Sequence, residues 1–92
     1  MMQAENQFVA SDDVVARQVG VKAVLLDLES GTYLGLNDVG GVVWETLEAG
    51  PASLATICDA VLEKFDVTRE VATRDIADLI DDLLARQLVT RA

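Results

Sequence analysis

The sequence predicts an α+β fold, a three-stranded antiparallel sheet followed by three helices in a winged-helix-like plan. Three observations point there. Short strand-like runs occupy residues 14–19, 22–28 and 32–36. The loop Glu29-Ser30-Gly31 separates the last two at hairpin spacing. Three polar residues that favour helix starts, Asn37, Ser53 and Thr68, each precede a stretch with apolar residues at helical spacing.

Residues 1–12 are polar and without period, and read as a flexible N-terminal arm ahead of a domain at 13–92. The run 14–19 is β-branched and suits a strand, and Gly20 marks a turn. The apolar run 22–28 is nearly continuous, so periodicity alone leaves it open between strand and buried helix. Its shortness decides for a strand, as does Gly31, which tolerates the positive φ that hairpin loops need. In 32–36, Thr32, Leu34 and Leu36 share one face, with Tyr33 and Gly35 on the other.

Asn37 caps a first helix over 38–48, and Asp38 suits its positive end. Val39, Val42, Val43, Trp44 and Leu47 fill one broad face of it, with Trp44 as a core anchor. Gly40-Gly41 inside this helix costs about 1 kcal/mol per glycine against alanine, which a close approach of another backbone would explain. Gly50-Pro51 ends the helix. Ser53 caps a second helix over 54–64, with Leu54, Ile57, Cys58, Val61, Leu62 and Phe65 at helical spacing. Thr68 caps a third over 69–87, and Leu88-Val89 close the chain.

Composition excludes several function classes. Ninety-two residues make one domain, and 51% hydrophobic residues with a mean hydropathy of +0.29 exclude a disordered tail. Sixteen acidic against seven basic residues give a net charge of −9, which opposes nucleic acid and anionic membrane as partners. With no histidine and one cysteine, Cys58, there is no His-based triad, no internal disulfide and no zinc cage. Cys58 sits among Ile57, Val61 and Leu62 and reads as a buried structural thiol. The acid pairs Asp12-Asp13 and Asp81-Asp82 do not converge as metal ligands, because adjacent helical positions point about 100° apart. No general base is evident, so neither catalytic residues nor a cofactor are expected. The chain shows no signal-peptide pattern and no apolar run of about 18 residues, so a cytoplasmic protein is expected.

Two segments are candidates for binding. In the third helix, Ala72, Ile76, Ile80, Leu83 and Leu84 cluster as a core stripe. Leu79 lies on its shoulder, with Asp75, Asp78, Asp82 and Arg86 beyond. That is a solvated face beside a core, or else one wall of a groove with Leu79 as floor and acids as rim. The other candidate is 32–36, which carries no proline or charge to block pairing. As an edge strand it would accept an extended peptide, and it would equally support dimerisation. A proline at Leu34 is expected to block such strand addition.

The pattern over 24–47 carries Leu36, Asn37, Gly40 and Trp44 at the spacing Leu-Asn-x-x-Gly-x-x-x-Trp. It resembles the PqqD family, the precursor-recognition domains of ribosomally made, post-translationally modified peptides. The likeness runs from about Val14 to Val89. It implies a strand-strand-strand-helix-helix-helix plan and an activity without chemistry. A precursor's leader segment adds antiparallel to the third strand, packs on the third helix, and is delivered to a modifying enzyme or leader peptidase. The contacts it implies are Thr32, Tyr33, Leu34 and Gly35 on the strand, and Asp75, Leu79, Asp82 and Arg86 on the helix. Leu34, Ile76, Leu79 and Leu83 would form a hydrophobic pocket between them. Glu29-Ser30-Gly31, and the absence of a tryptophan after Trp44, look more like the stand-alone leader-binding proteins of lasso-peptide clusters than like PQQ-type chaperones of radical SAM enzymes. A winged-helix interaction or DNA-binding module is the alternative from another class, and the charge opposes its DNA-binding form.

Overall fold

In the computed structural model, which describes residues 6–19 and 22–92, each helix starts at the cap that the sequence offers. The Asn37 side chain accepts the Gly40 N–H at 2.8 Å and opens α1, Asp38–Glu48. Ser53 Oγ accepts the Thr56 N–H at 3.2 Å ahead of α2, Leu54–Lys64. Thr68 Oγ1 accepts the Val71 N–H at 3.2 Å ahead of α3, Arg69–Ala85. Each cap satisfies a donor that the first helical turn leaves without a partner.

The last helix stops slightly sooner than its apolar spacing suggests. Gln87 takes φ +62, and the N–H groups of Gln87 and Leu88 donate back to the Leu84 and Leu83 carbonyls at 3.1 and 2.9 Å. This is a Schellman reversal, a position that glycine usually fills. It turns the chain into a strand that the sequence reading missed.

The described strands form two antiparallel sheets, one more than expected. The first contains β1 (Gln7–Ala10), β5 (Ala52–Ser53) and β6 (Val89–Arg91), in the order β5-β1-β6. The second contains β2 (Val14–Val19), β3 (Lys22–Asp27) and β4 (Tyr33–Leu36), in the order β2-β3-β4. The flexible arm expected over 1–12 is therefore corrected at 7–10. There the backbone pairs on both sides and Phe8 is wholly enclosed in the core. Burying an aromatic ring and satisfying a ladder together outweigh the polarity of the neighbouring residues. Residues 1–5 and the turn expected at Gly20 lie outside the described residues.

The β3–β4 hairpin forms as expected. Gly31 takes φ +74, its N–H donates to the Asp27 carbonyl at 2.7 Å, and Ser30 Oγ donates to Asp27 Oδ2 at 2.9 Å. Asp27 thus ties the loop that sets the register of β4.

The core lies between the two sheets and the helices. Leu25, Leu36, Val43, Leu47, Ile57, Ile76, Ile80 and Leu83 join Phe8 in it. Trp44 is 3% exposed, and its indole N–H donates to Glu48 Oε2 at 3.0 Å, so it anchors the core and keeps its one polar atom paired. Cys58 is buried, with its sulfur 3.5 Å from Thr73 Oγ1. The close approach at Gly40 is real but is not another backbone. A Cβ there would stand 3.2 Å from Leu36 Cβ and 3.3 Å from the capping Asn37 oxygen. Gly41 has open space around it, and nothing in the structure explains its being glycine.

Candidate functional site

The second sheet has β4 at one edge. Which of its backbone groups face outward follows from the register. The Asp27 N–H donates to the Thr32 carbonyl at 2.9 Å, and Leu26 stands opposite Tyr33. In an antiparallel ladder bonded and non-bonded pairs alternate. Leu34 opposite Leu25 and Leu36 opposite Ala23 are therefore the bonded pairs. Tyr33 and Gly35 turn both their N–H and C=O groups away from β3. Two donors and two acceptors thus stand along the open edge, about 7 Å from one residue to the other.

This register corrects one expectation. Leu34 N–H is bonded to β3, so proline there attacks the sheet itself. The position where proline meets an incoming strand is Gly35.

Leu34 of β4 and Leu79 of α3 are both partly buried and pack against the core. A cleft opens at each end of the strand. At the end of β4, a cleft of about 380 Å³ is lined by Gly35, Leu36 and Asn37, by Val39 and Gly40 of α1, and by Asp75, Ile76, Asp78 and Leu79 of α3. At its start, a cleft of about 800 Å³ takes in Thr32, Tyr33 and Leu34, with Arg86 and Gln87 from the end of α3 and Leu88 beyond it. Residues of β4 and α3 line both clefts, which share no residue, and the pair is the candidate groove.

The structure gathers most of the candidate residues around this groove. Thr32, Tyr33, Leu34 and Gly35 line its strand side, with Tyr33 71% exposed. Asp75, Leu79 and Arg86 line its helix side. Asp82 is exposed but lines neither cleft, and its Oδ1 accepts from Arg86 Nε at 3.0 Å. Ile76 is wholly enclosed and backs the smaller cleft from the core. Leu83 is wholly enclosed and lines neither cleft, so it belongs beneath the groove and not on its surface. The helical spacing places Leu83 in the core stripe, where it is found, and only the family resemblance adds it to the pocket.

Sequence reasoning did not single out Asn37, Val39 and Gly40 as groove residues, since they were assigned to the cap and core of α1. It also missed Ser11 and Asp13 of the β1–β2 link and Thr90 of β6, which line the larger cleft. The signal for Val39 was present: as the second residue of α1 it stands next to the end of β4.

A free strand edge beside an apolar helix shoulder is the arrangement by which a peptide adds as a further strand. Main-chain groups supply affinity, and the clefts read alternate side chains. Among the described residues no three His, Cys, Asp or Glu side chains could hold a metal ion, and no helix is long and apolar enough to cross a membrane.

Comparison with known proteins fits this geometry. No curated protein sequence matches the chain. Two solved structures do. One is "TbiB1 in Complex with the TbiA(beta) Leader Peptide", 36% identical, with a TM-score of 0.78, covering 88% of this chain and 93% of that one. The other is "Lasso peptide synthetase B1 complexed with the leader peptide", 30% identical, with a TM-score of 0.77, covering 90% of this chain and 96% of that one. Residues 22–89 match the family described as Coenzyme PQQ synthesis protein D (PqqD). That span takes in β3, β4 and all three helices, and the chain belongs to the PqqD family.

Proposed function

We propose that this protein binds the leader segment of a ribosomally made precursor peptide, of the lasso-peptide type, in the groove between β4 and α3. It holds the leader for a separate leader peptidase or other modifying enzyme and does no chemistry of its own, in the cytoplasm. The observation that carries the reading is the open edge at Tyr33 and Gly35 beside the α3 groove. It is supported by two relatives of the same fold, 36% and 30% identical, that were solved with leader peptides.

The energetics are adequate. Four main-chain hydrogen bonds at about 1 kcal/mol each give about 4 kcal/mol. Burial of about 300 Å² of apolar surface adds about 7 kcal/mol at about 25 cal/mol per Å². Association and ordering cost at least about 4 kcal/mol. The remainder, at most about 7 kcal/mol, corresponds to a Kd in the micromolar range or weaker.

The test is a fluorescence-anisotropy titration with labelled lasso-type leaders, with a PQQ-type precursor and a scrambled leader as controls. Saturable binding to a lasso-type leader, absent for the scrambled copy, is the expected result. No binding to any leader by a folded protein refutes the reading. Preference for the PQQ-type precursor moves the protein to that branch of the family.

A further inference from the structure

The groove is not chemically uniform, and its smaller cleft has a composition that points to a particular side chain. Its floor is apolar, from Leu36, Val39 and Leu79, and its rim carries Asp75 and Asp78 one turn apart on α3. No cationic residue lines it. Among the described residues, neither carboxylate forms an ion pair, whereas Asp82 is held by Arg86 and Asp59 by Arg69. Arg74 also lies on α3, yet it makes no salt bridge to either carboxylate.

Two exposed acids on a helix are by themselves only a solvated face. Here they rim an apolar-floored cleft, and that cleft lies against Gly35, one of the two residues whose backbone groups an added strand would engage. A peptide paired to Gly35 passes directly over it. The complement of an apolar floor with an anionic rim is a long aliphatic stem with a cationic tip. An acidic side chain would meet like charge there. A purely apolar one would cover the floor and leave both carboxylates without a counter-charge.

Resting on the leader-binding reading, we propose that the smaller cleft seats a lysine or arginine of the leader. Its stem lies on Val39 and Leu79, and its charged tip meets Asp75 and Asp78. Asp75 and Asp78 are then specificity residues that select a cationic leader position at the Gly35 end of the groove. The net charge of −9 works in the same direction, since it draws cationic peptides to the protein at a distance.

The test uses a synthetic lasso-type leader in which lysine, norleucine or glutamate is walked through each position flanking the paired segment. Affinities are read by anisotropy competition. Norleucine keeps most of the stem and removes the charge, so the comparison isolates the tip. The expected result is one position where lysine binds about threefold to tenfold tighter than norleucine, the range of two partly exposed ion pairs. Glutamate binds weakest at that position. The advantage of lysine disappears in the Asp75→Asn/Asp78→Asn double variant, whose fold is checked by circular dichroism, and shrinks in 1 M NaCl. Equal affinity for lysine and norleucine at every position, with the leader still bound, overturns this inference and leaves leader binding standing. A lysine preference that survives in the double variant also overturns it. Failure of every leader to bind overturns the leader-binding reading, and the lysine seat with it.

Discussion

Proline at two adjacent positions of β4 separates strand addition from sheet stability. Gly35 N–H points away from β3, so Gly35→Pro removes no bond of the native sheet, and the edge position tolerates the ring. What it removes is one donor to the bound peptide, worth about 1 kcal/mol. It also leaves a peptide carbonyl unpaired in the interface, at a further cost of about 1–3 kcal/mol. Leader affinity should therefore fall by a factor of about 30 to 1,000. Leu34→Pro acts on the opposite side. Its N–H is the donor to Leu25, a residue with no exposed surface, so the buried Leu25 carbonyl loses its partner. That substitution should cost the fold about 3 kcal/mol. The assay pairs urea unfolding with leader anisotropy for both variants. Gly35→Pro should keep the wild-type midpoint and lose the leader, and Leu34→Pro should lose stability first. Gly35→Pro with wild-type affinity would refute strand addition at this edge. Leu34→Pro with wild-type stability would refute the register from which the outward-facing groups were assigned.

Leu79→Arg should weaken leader binding at least tenfold while shifting the unfolding midpoint only slightly, because Leu79 lines the smaller cleft at the edge of the core. Equal losses of binding and stability would remove it from the groove. Gln87→Gly relieves a positive φ on a residue with a Cβ and should stabilise the domain by about 1 kcal/mol, read as a rise in Tm of about 4–8 °C. Phe8→Ala should cost about 3–5 kcal/mol by chemical denaturation. A nearly neutral effect would restore the flexible arm that the sequence suggested.

The elements legible in the sequence were those whose signals are local. Asn37, Ser53 and Thr68 cap their helices because a side-chain oxygen reaches a backbone N–H three residues on, and that spacing can be read without a fold. Gly31 was legible for the same reason, since the hairpin needs its positive φ. That residues 32–36 could pair with an added strand was legible, since nothing in them blocks pairing, but their place at the sheet edge came from the topology. What stayed hidden depends on contacts distant in sequence. β1 and β6 are only four and three residues long, and each becomes a strand by pairing with a segment some 80 positions away, Val9 with Thr90. Depth along α3 was legible from spacing: Leu83 falls in the core stripe and is enclosed, whereas Leu79, one turn earlier on its shoulder, reaches the groove.

The hidden sheet has a direct bearing on the site. β6 leaves the Schellman turn at the end of α3 and pairs with β1, and β1 continues through Ser11 into β2 of the other sheet. Ser11 N–H donates to the Leu88 carbonyl at 3.0 Å across that junction. The first sheet therefore ties the C-terminal end of α3 to the sheet whose far edge is β4. Ser11, Leu88 and Thr90 all line the larger cleft, so this pairing builds part of its wall. A wall held by such pairing would need less ordering on binding a leader, which lowers the cost of association. Weakening the β1–β6 pairing with Val9→Pro should then reduce leader affinity even at temperatures where the domain remains folded, although Val9 lines neither cleft. Unchanged affinity in a folded Val9→Pro protein, measured by the same anisotropy titration, would show that the helices alone hold α3 in place.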